Sequence, residues 1–299
     1  GMHRLALALE SLATGQGAAF RYGAEVRGIE TNNGRVSAVK LATGEVISCS
    51  EVIANGDANA LATALFGPAA ARVVGQVAPP ERSLSAVVWT GRAQSGGFPL
   101  TRHNVFFDDD YAGEFDDVFK RRRLPRQGTV YVCAHDRLHD QAVPTGRERL
   151  LALVNAPADG DNNAFDASEI EPCEHRSLAL LQQCGLQLEL TSRTQVLRRT
   201  PADFNHLYPG SGGALYGPAT HGWMALFKRP GAATALPGLY LAGGSAHPGP
   251  GVPMAAMSGR LAAATLLAHL DSISRLGKAP RVRIAGGTSM RSAATAAMR

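Results

Sequence analysis

Residues 239–254, Leu-Tyr-Leu-Ala-Gly-Gly-Ser-Ala-His-Pro-Gly-Pro-Gly-Val-Pro-Met, constrain the fold more than any other stretch of the chain. The apolar start reads as a buried strand, the glycine-rich run as a turn, and the sequence to about residue 270 as a helix. Pro253 suits the first turn of that helix, where its missing N–H removes no internal hydrogen bond. The free amides at such a helix start carry the positive end of the dipole, so the turn can seat phosphate or electron-rich ring oxygens. Gly243, Gly244, Gly249 and Gly251 leave the backbone bare. Ala255, Ala256, Gly259, Ala262 and Ala263 make the helix slender enough to lie close to a sheet. By pattern alone, connector and cofactor seat stand about level, because glycine-rich strand-to-helix turns are common.

The familiar fingerprints do not decide the matter. Gly15-Gln16-Gly17 has Phe20 where a third glycine belongs, Gly210-Ser211-Gly212 has Leu215 there, and no Gly-Lys-Ser or Gly-Lys-Thr occurs. A complete dinucleotide site is therefore absent from the chain. Gly-x-Ser-x-Gly is absent too, which leaves nucleophile-elbow hydrolysis without support. His247 sits in the turn, where it either caps carbonyls or serves a ligand; His206 and His221 are weaker candidates. Tyr216, Trp223 and Phe227 either line an apolar cavity or belong to the core, with the core reading favoured.

Ahead of that segment, residues 2–15 read as a helix whose Met2, Leu5, Leu9 and Leu12 share one stripe. Short strands are expected at 18–22, 24–31, 35–41, 45–48 and 51–54, with the Asn32-Asn33-Gly34 turn marking a hairpin. A helix over 58–66 follows the Asn55-Gly56-Asp57 turn. The middle predicts strands at 83–90, 129–134, 149–155 and 186–197 with a helix over 167–184. These elements make a mixed α/β (α+β) chain: 1–75 as one part, 76–235 as a mixed-sheet second domain suited to covering a ligand, 236–271 as strand, turn and helix, and 272–299 as a basic flexible tail.

Charge and cysteines narrow the functional classes. The formal charge is +5, yet residues 272–299 hold six of the 30 basic residues and no acidic one, leaving 24 basic against 25 acidic, or −1, in the body. A near-neutral body argues against a nucleic-acid face. Cys49, Cys133, Cys173 and Cys184 form no Cys-x-x-Cys pair, so structural zinc and a redox dithiol lose support and four reduced, mostly buried thiols in a cytoplasmic protein are expected. Asp108-Asp109-Asp110 lacks the alternating spacing of a calcium loop and reads as a solvated turn; no metal site is expected. No apolar run reaches the length of a membrane span.

Several segments resemble one family, the flavoprotein carotenoid desaturases related to bacterial phytoene desaturase. They are residues 1–6, 20–26, 52–57 (Val-Ile-Ala-Asn-Gly-Asp), 82–86, 103–107, 131–134 and the glycine-rich segment itself, so the likeness covers nearly all of residues 1–271. The middle segments are most similar to the branch that acts on hydroxy- or methoxyneurosporene and desaturates 1-hydroxycarotenoids at the C3–C4 bond. The resemblance implies a glutathione-reductase-type FAD-binding domain, here partial, with a mixed-sheet substrate domain. It places Val26 beside the adenine and lets Asn55 and Asp57 shape the adjoining loop. Gly243, Gly244, Gly251, Val252 and Met254 would lie along the ribityl chain and flavin ring, His247 would tune or position the flavin, and Ser245 and Pro253 would also bind the cofactor. No residue is assigned as catalytic.

Members of the family begin with a strand, Gly-x-Gly-x-x-Gly and a ribose-binding acidic residue, which this sequence lacks. The expectation is a C-terminal portion, inactive by itself. Gly56 and Asn59 stand where the family often has Ala and Pro. The resemblance further implies a carotenoid substrate and a protein held peripherally at the cytoplasmic side of the inner membrane, the basic tail assisting. Its rivals are another flavin oxidoreductase or isomerase of the superfamily, and a non-catalytic remnant or partner-binding module. The oligomeric state is not legible.

Overall fold

The computed structural model describes residues 2–126, 128–137, 144–189, 196–220 and 229–275, with the backbone of 276–278, 281–283 and 289–291. Helix α1 (Met2–Gly15) opens the chain. Strands β1 (Val26–Asn32) and β2 (Arg35–Leu41) pair antiparallel across a turn in which Asn33 and Gly34 both have positive φ, 51° and 73°. Those values match the twist of the flanking strands, which is why Asn-Gly marks hairpins so well. β3 (Val46–Ser48) extends this meander. β4 (Val52–Ala54) leaves it and pairs in parallel with β11 (Leu239–Leu241), with Val52 opposite Leu239 and Ala54 opposite Leu241. Ile29, Val36, Leu61, Ala70, Leu236, Leu239, Leu241 and Ala246 form the core under this arrangement. Burying each leucine contributes roughly 2 kcal/mol. Helix α7 (Val252–Lys278) packs on β11 through Ser258 and Ala262, both almost fully buried, and small side chains there bring helix and strand close.

The second core belongs to an antiparallel sheet in the order β10 (Leu197–Arg199), β5 (Ser85–Gly97), β8 (Glu148–Ala156), β7 (Val130–Ala134), β6 (His103–Phe106). β9 (Leu186–Glu189) pairs with the far end of β5. Side chains alternate across such a sheet, and the face carrying Val87, Trp89, Val130, Val132, Leu150 and Val154 packs against Ile170, Cys173 and Leu181 of α5 (Ala167–Gln183). Trp89 Nε1 donates to Glu174 Oε2 at 3.0 Å, which satisfies the indole N–H in that core. Buried Glu148 accepts from Arg137 and from Ser95. Of the cysteines, Cys133 and Cys173 are buried, Cys49 half-buried and Cys184 exposed, and all are free. Among the described residues no helix is long and apolar enough to cross a membrane.

Several elements differ from the expectations. Residues 18–22 form no strand; Arg21 instead makes a two-pronged pair with Glu45, at 2.9 Å on each prong. The helix expected over 58–66 is α2 (Ala58–Ala62), ended where Ala64 turns to φ 62°, with α3 (Pro68–Ala71) following. β5 runs on to Gly97 because β8 and β9 pair with its successive halves. The strand expected over 186–197 is two separate strands, its middle lying outside the described residues. β6, α4 (Tyr111–Phe115), the π-helical turn Asp116–Lys120 that continues it, and α6 (Pro201–Leu207) carry no strong periodicity in so few residues. α7 continues to Lys278, so residues 272–278 are helix and not tail. A short antiparallel pair, Arg281–Arg283 with Ser289–Arg291, follows within the residues expected to be flexible.

Asp117, 3% exposed, anchors the turn after α4. It accepts from Arg121 at 2.7 Å, from Arg123 at 2.7 Å and from the Arg126 amide at 3.1 Å. Burial alone would raise its pKa, but these donors outweigh burial and hold it far below the usual carboxylate range. Asp117→Asn is expected to cost about 2 kcal/mol, read from urea unfolding at neutral pH. A carboxylate depressed in the folded state stabilises above the unfolded carboxylate range, near pH 4, and loses that contribution as pH falls towards its folded value. The variant should therefore show a flatter loss of stability below pH 4 than the parent.

Candidate functional site

Parallel pairing sets the carboxyl ends of β4 and β11 side by side, the place where open α/β sheets bind ligands. β4 runs into Asn55-Gly56-Asp57 and α2, and β11 into the glycine-rich turn and α7. Asp57 caps α2, its Oδ1 accepting from the Asn59 amide at 2.8 Å. Ser245 Oγ, from the other turn, accepts from the Ala58 amide at 2.9 Å, so the two turns share one helix start. Ser258 Oγ reaches back from α7 to accept from the Gly243 amide at 3.1 Å. Gly243 has φ 113°, and a Cβ there would lie 2.9 Å from Asn55 Oδ1. Glycine is thus required twice over at this position.

Beneath the turns lies a layer of buried charge. Arg229, 5% exposed, donates Nη1 to Gly244 O at 2.9 Å and Nη2 to Tyr216 O and Pro218 O at 2.8 and 3.0 Å. Arg82, 6% exposed, holds both oxygens of Asp161 at 2.7 Å and Ala158 O at 3.1 Å. In each guanidinium the Nε–H is buried and has no partner among the described residues. Burial raises the Asp57 pKa, opposed by the Asn59 amide and by the charges of Arg82 and Arg229. Burial lowers the Arg229 pKa against the pull of Asp57. Buried Asn59 donates Nδ2 to Gly210 O at 2.7 Å and accepts from the Val77 amide at 2.8 Å, tying α2 to two loops.

The structure brings Asn55, Asp57, Gly243, Gly244 and Ser245 together, with Gly251, Val252, Pro253 and Met254 carrying the turn outward into exposed positions. The His247 amide donates to Pro230 O at 2.8 Å and the residue is exposed. Val26 opens β1 opposite Leu41, and among the described contacts nothing joins it to either turn. Trp223, Phe227 and His221 lie outside the described residues; Tyr216 is half exposed. A cavity of about 360 Å³ between α5 and the sheet, lined by Trp89, Leu150, Leu181 and Leu188, contains none of the expected site residues. Ser258, Arg82 and Arg229 went unnoticed in the sequence because each acts on residues distant in the chain. Arg229-Pro230, ten residues ahead of β11, offered only a lone cation in an apolar stretch.

Residues 1–267 match the family described as flavin containing amine oxidoreductase. The chain is 57% identical, over its whole length, to 56% of a hydroxyneurosporene desaturase from Rubrivivax gelatinosus. It is 44% identical to the hydroxyneurosporene desaturase of Cereibacter sphaeroides, over 92% of the chain and 54% of that protein. A 4,4'-diapolycopene oxygenase from a Methylomonas species is 32% identical over 91% of the chain and 54% of its own length. The chain spans about half the length of the curated relatives it matches.

Arg229→Gln would leave three carbonyls without their shared, buried donor, and is expected to cost on the order of 3 kcal/mol in denaturant unfolding. Arg229→Lys keeps the charge but not the fork, so its loss should be intermediate. A cost below about 1 kcal/mol for the Gln variant would show that the turn holds its shape without the clamp.

Proposed function

The chain belongs to the family of flavin-containing amine oxidoreductases, and from that premise we propose that it supplies the flavin-ring and substrate-binding parts of an FAD-dependent carotenoid desaturase. The substrate class is a hydroxy- or methoxyneurosporene-type polyene, desaturated at C3–C4. The observation that carries this reading is the juxtaposition of the Asn55–Asp57 and glycine-rich turns at one sheet edge, with relatives named hydroxyneurosporene desaturase beside it. In this reading 1–75 and 236–271 belong to a glutathione-reductase-type flavin domain and 76–235 to the substrate domain.

The residues present fit the flavin end of FAD. At Gly251, φ is 105° and a Cβ would meet nothing within 4 Å, so the space over the turn is open. Val252 and Met254, 52% and 37% exposed, flank that space with apolar surface. Bare amides beside apolar side chains suit a flat ring with a polar edge. When bound, FAD supplies the hydride acceptor for a carbon next to the polyene as the neighbouring carbon loses a proton. Gly244 and Gly251 would admit the ring and ribityl chain to the backbone, Gly243 would let the turn close against Asn55 beneath them, and the start of α7 turns its dipole towards the same space. Val252 and Met254 exclude water. His247 would position the ring edge, and Val26 and Asn55 would serve the adenine end. Asp57 and Ser245 hold the two turns together and do not act on the substrate. Charge delocalised along a polyene reduces the need for a strong side-chain base.

One observation favours a complementary reading. No residue of α1 is buried, and Ile53 on β4 is 41% exposed. We infer that this part works only with a further dinucleotide-binding segment covering that face. The decisive experiment supplies the remaining half of the Rubrivivax gelatinosus relative as a second polypeptide and follows flavin absorbance and the carotenoid product. Flavin retention and a new conjugated double bond are expected. In that complex Gly251→Leu should weaken flavin retention by at least tenfold, about 1.4 kcal/mol. A well-folded complex that retains no flavin would overturn the cofactor assignment, and a product with unchanged conjugation would favour an isomerase.

A substrate that partitions into lipid calls for peripheral contact with the inner membrane from the cytoplasm, assisted by the basic residues after Ser272. Removing residues after Leu276 should weaken sedimentation with vesicles containing anionic lipid, and more so at low salt. Equal sedimentation would remove the tail from membrane binding.

A further inference from the structure

Phe107, Tyr111, Phe115 and Phe119 form a continuous ladder of rings, with centroids 5.9, 5.0 and 6.2 Å apart in succession. In a chain with only 6% aromatic residues this is a concentration, and it is not core: Phe107 is 61% exposed and Tyr111 51%. Phe115 and Phe119 are half-buried behind them, so the ladder presents an exposed apolar end of the kind that marks a contact site.

The ladder is held rigidly from behind. Asp110 caps α4 through the Gly113 amide at 2.9 Å. Buried Glu114 accepts from the Thr129 amide at 2.9 Å and from Asn155 Nδ2 at 2.8 Å, fixing α4 to the sheet. Asp117 fixes the following turn through Arg121, Arg123 and the Arg126 amide. That turn is π-helical, closed by the Arg121 amide on Asp116 O at 2.9 Å, a form of helix frequent at functional sites. The buried carboxylates Glu114 and Asp117 therefore occupy the anchored side, while Asp109, Asp110 and the Asp116–Lys120 pair stay at the surface with the rings.

Its position relates it to the flavin turns. Phe107 follows Phe106, which lies in register with Val130 and, through it, with Val154 and Val87 at the Ser85 end of the sheet. Beyond Phe119, Arg122 donates to Pro79 O and Ala158 O at 3.1 and 3.3 Å. Ala158 O also accepts from Arg82. The segment that carries the ladder thus starts at the sheet edge, and its continuation through Arg122 reaches the junction between the two cores.

We propose that this aromatic ladder is the rail against which the polyene of the substrate lies. The proposal rests on the carotenoid reading above. Ring faces offer broad, polarisable contact and, apart from the Tyr111 hydroxyl, no hydrogen-bonding group, which suits a long, flat, apolar chain and not a polar substrate. Preorganisation by Glu114 and Asp117 keeps the ordering cost of binding low.

The test uses the purified full chain without flavin and hydroxyneurosporene in detergent micelles, read by the induced circular dichroism of the polyene and by its retention in gel filtration. Phe107→Ala with Tyr111→Ala is expected to weaken binding at least tenfold. Tyr111→Phe should bind as the parent does, and Phe107→Leu, which keeps apolar area but removes the ring, should lose part of the affinity. Leu267→Ala with Leu270→Ala, an exposed apolar pair on α7, serves as control and should change nothing. Unchanged binding by the double ladder variant overturns the proposal, as does an equal fall in the control pair or no binding by the parent. A ladder variant that alters self-association but not polyene binding also overturns it and makes the rings a protein contact. Flavin retention is measured separately, in the complex with the remaining half of the relative: ladder-dependent polyene binding beside a well-folded complex that retains no flavin would retire the cofactor reading and leave this one standing.

Discussion

Three residues of β4 and three of β11, 187 positions apart in sequence, hold the candidate site in being. Without that pairing the Asn55–Asp57 turn and the glycine-rich turn are two unrelated loops. With it, one helix start is capped from both: Asp57 satisfies the Asn59 amide and Ser245 the Ala58 amide. A pairing of such sequence separation carries a large loop-closure cost. The burial of Leu239, Leu241 and Leu61 offsets it, so the site's geometry is a consequence of the core beneath it.

Between the two cores the chain uses charge in place of apolar packing. Arg82, Arg122 and Arg229 each span backbone carbonyls from distant segments: Ala158 for the first two, Pro79 for Arg122, and Tyr216, Pro218 and Gly244 for Arg229. Apolar side chains would fill the same space with little demand on orientation. A planar guanidinium accepts few arrangements of its partners, so these contacts define how the glycine-rich turn meets the 211–218 loop. Burying two guanidiniums, those of Arg82 and Arg229, and half-burying that of Arg122 is costly unless they are paired. The carbonyls, Asp159 and Asp161 supply most of that pairing.

The local signals in the sequence were reliable wherever one short rule decides the outcome. Asn33-Gly34 makes a hairpin because both residues tolerate positive φ, and the strand, turn and helix around Gly243 follow from bare glycines bounded by apolar periodicity. The long antiparallel strands were legible for the same reason. What stayed hidden depends on partners far away in sequence. Residues 18–22 have strand composition but no neighbouring strand, and β6 is four residues long and exists because β7 pairs with it. The aromatic ladder was hidden in a segment whose acidic residues suggested only a solvated turn, though Glu114 and Asp117 are buried. In the site, the glycines were visible, while Ser258 and Arg229, which shape the turn they form, looked like an ordinary helix serine and a lone cation.

A parallel sheet of two strands is seldom stable by itself, since both of its faces ordinarily lie under helices. Here Val52 N–H bonds to Gly238 O and Ala54 O accepts from the Ala242 amide, so the alternation of a parallel ladder turns the polar groups of Ile53 to the opposite edge. In the reading proposed above, that edge and the exposed Ile53 side chain are where a covering segment would pair with β4. Pairing there would rigidify β4 and, through β4, the Asn55–Asp57 turn that shares its helix cap with Ser245. A ligand seated on the glycine-rich turn rigidifies the same cap from the other side. Two events that order one element assist each other by the same free energy in both directions. In the proposed reading, assembly of the sheet and occupation of the turn would therefore be coupled through the hydrogen bond from the Ala58 amide to Ser245 Oγ and the strands behind it.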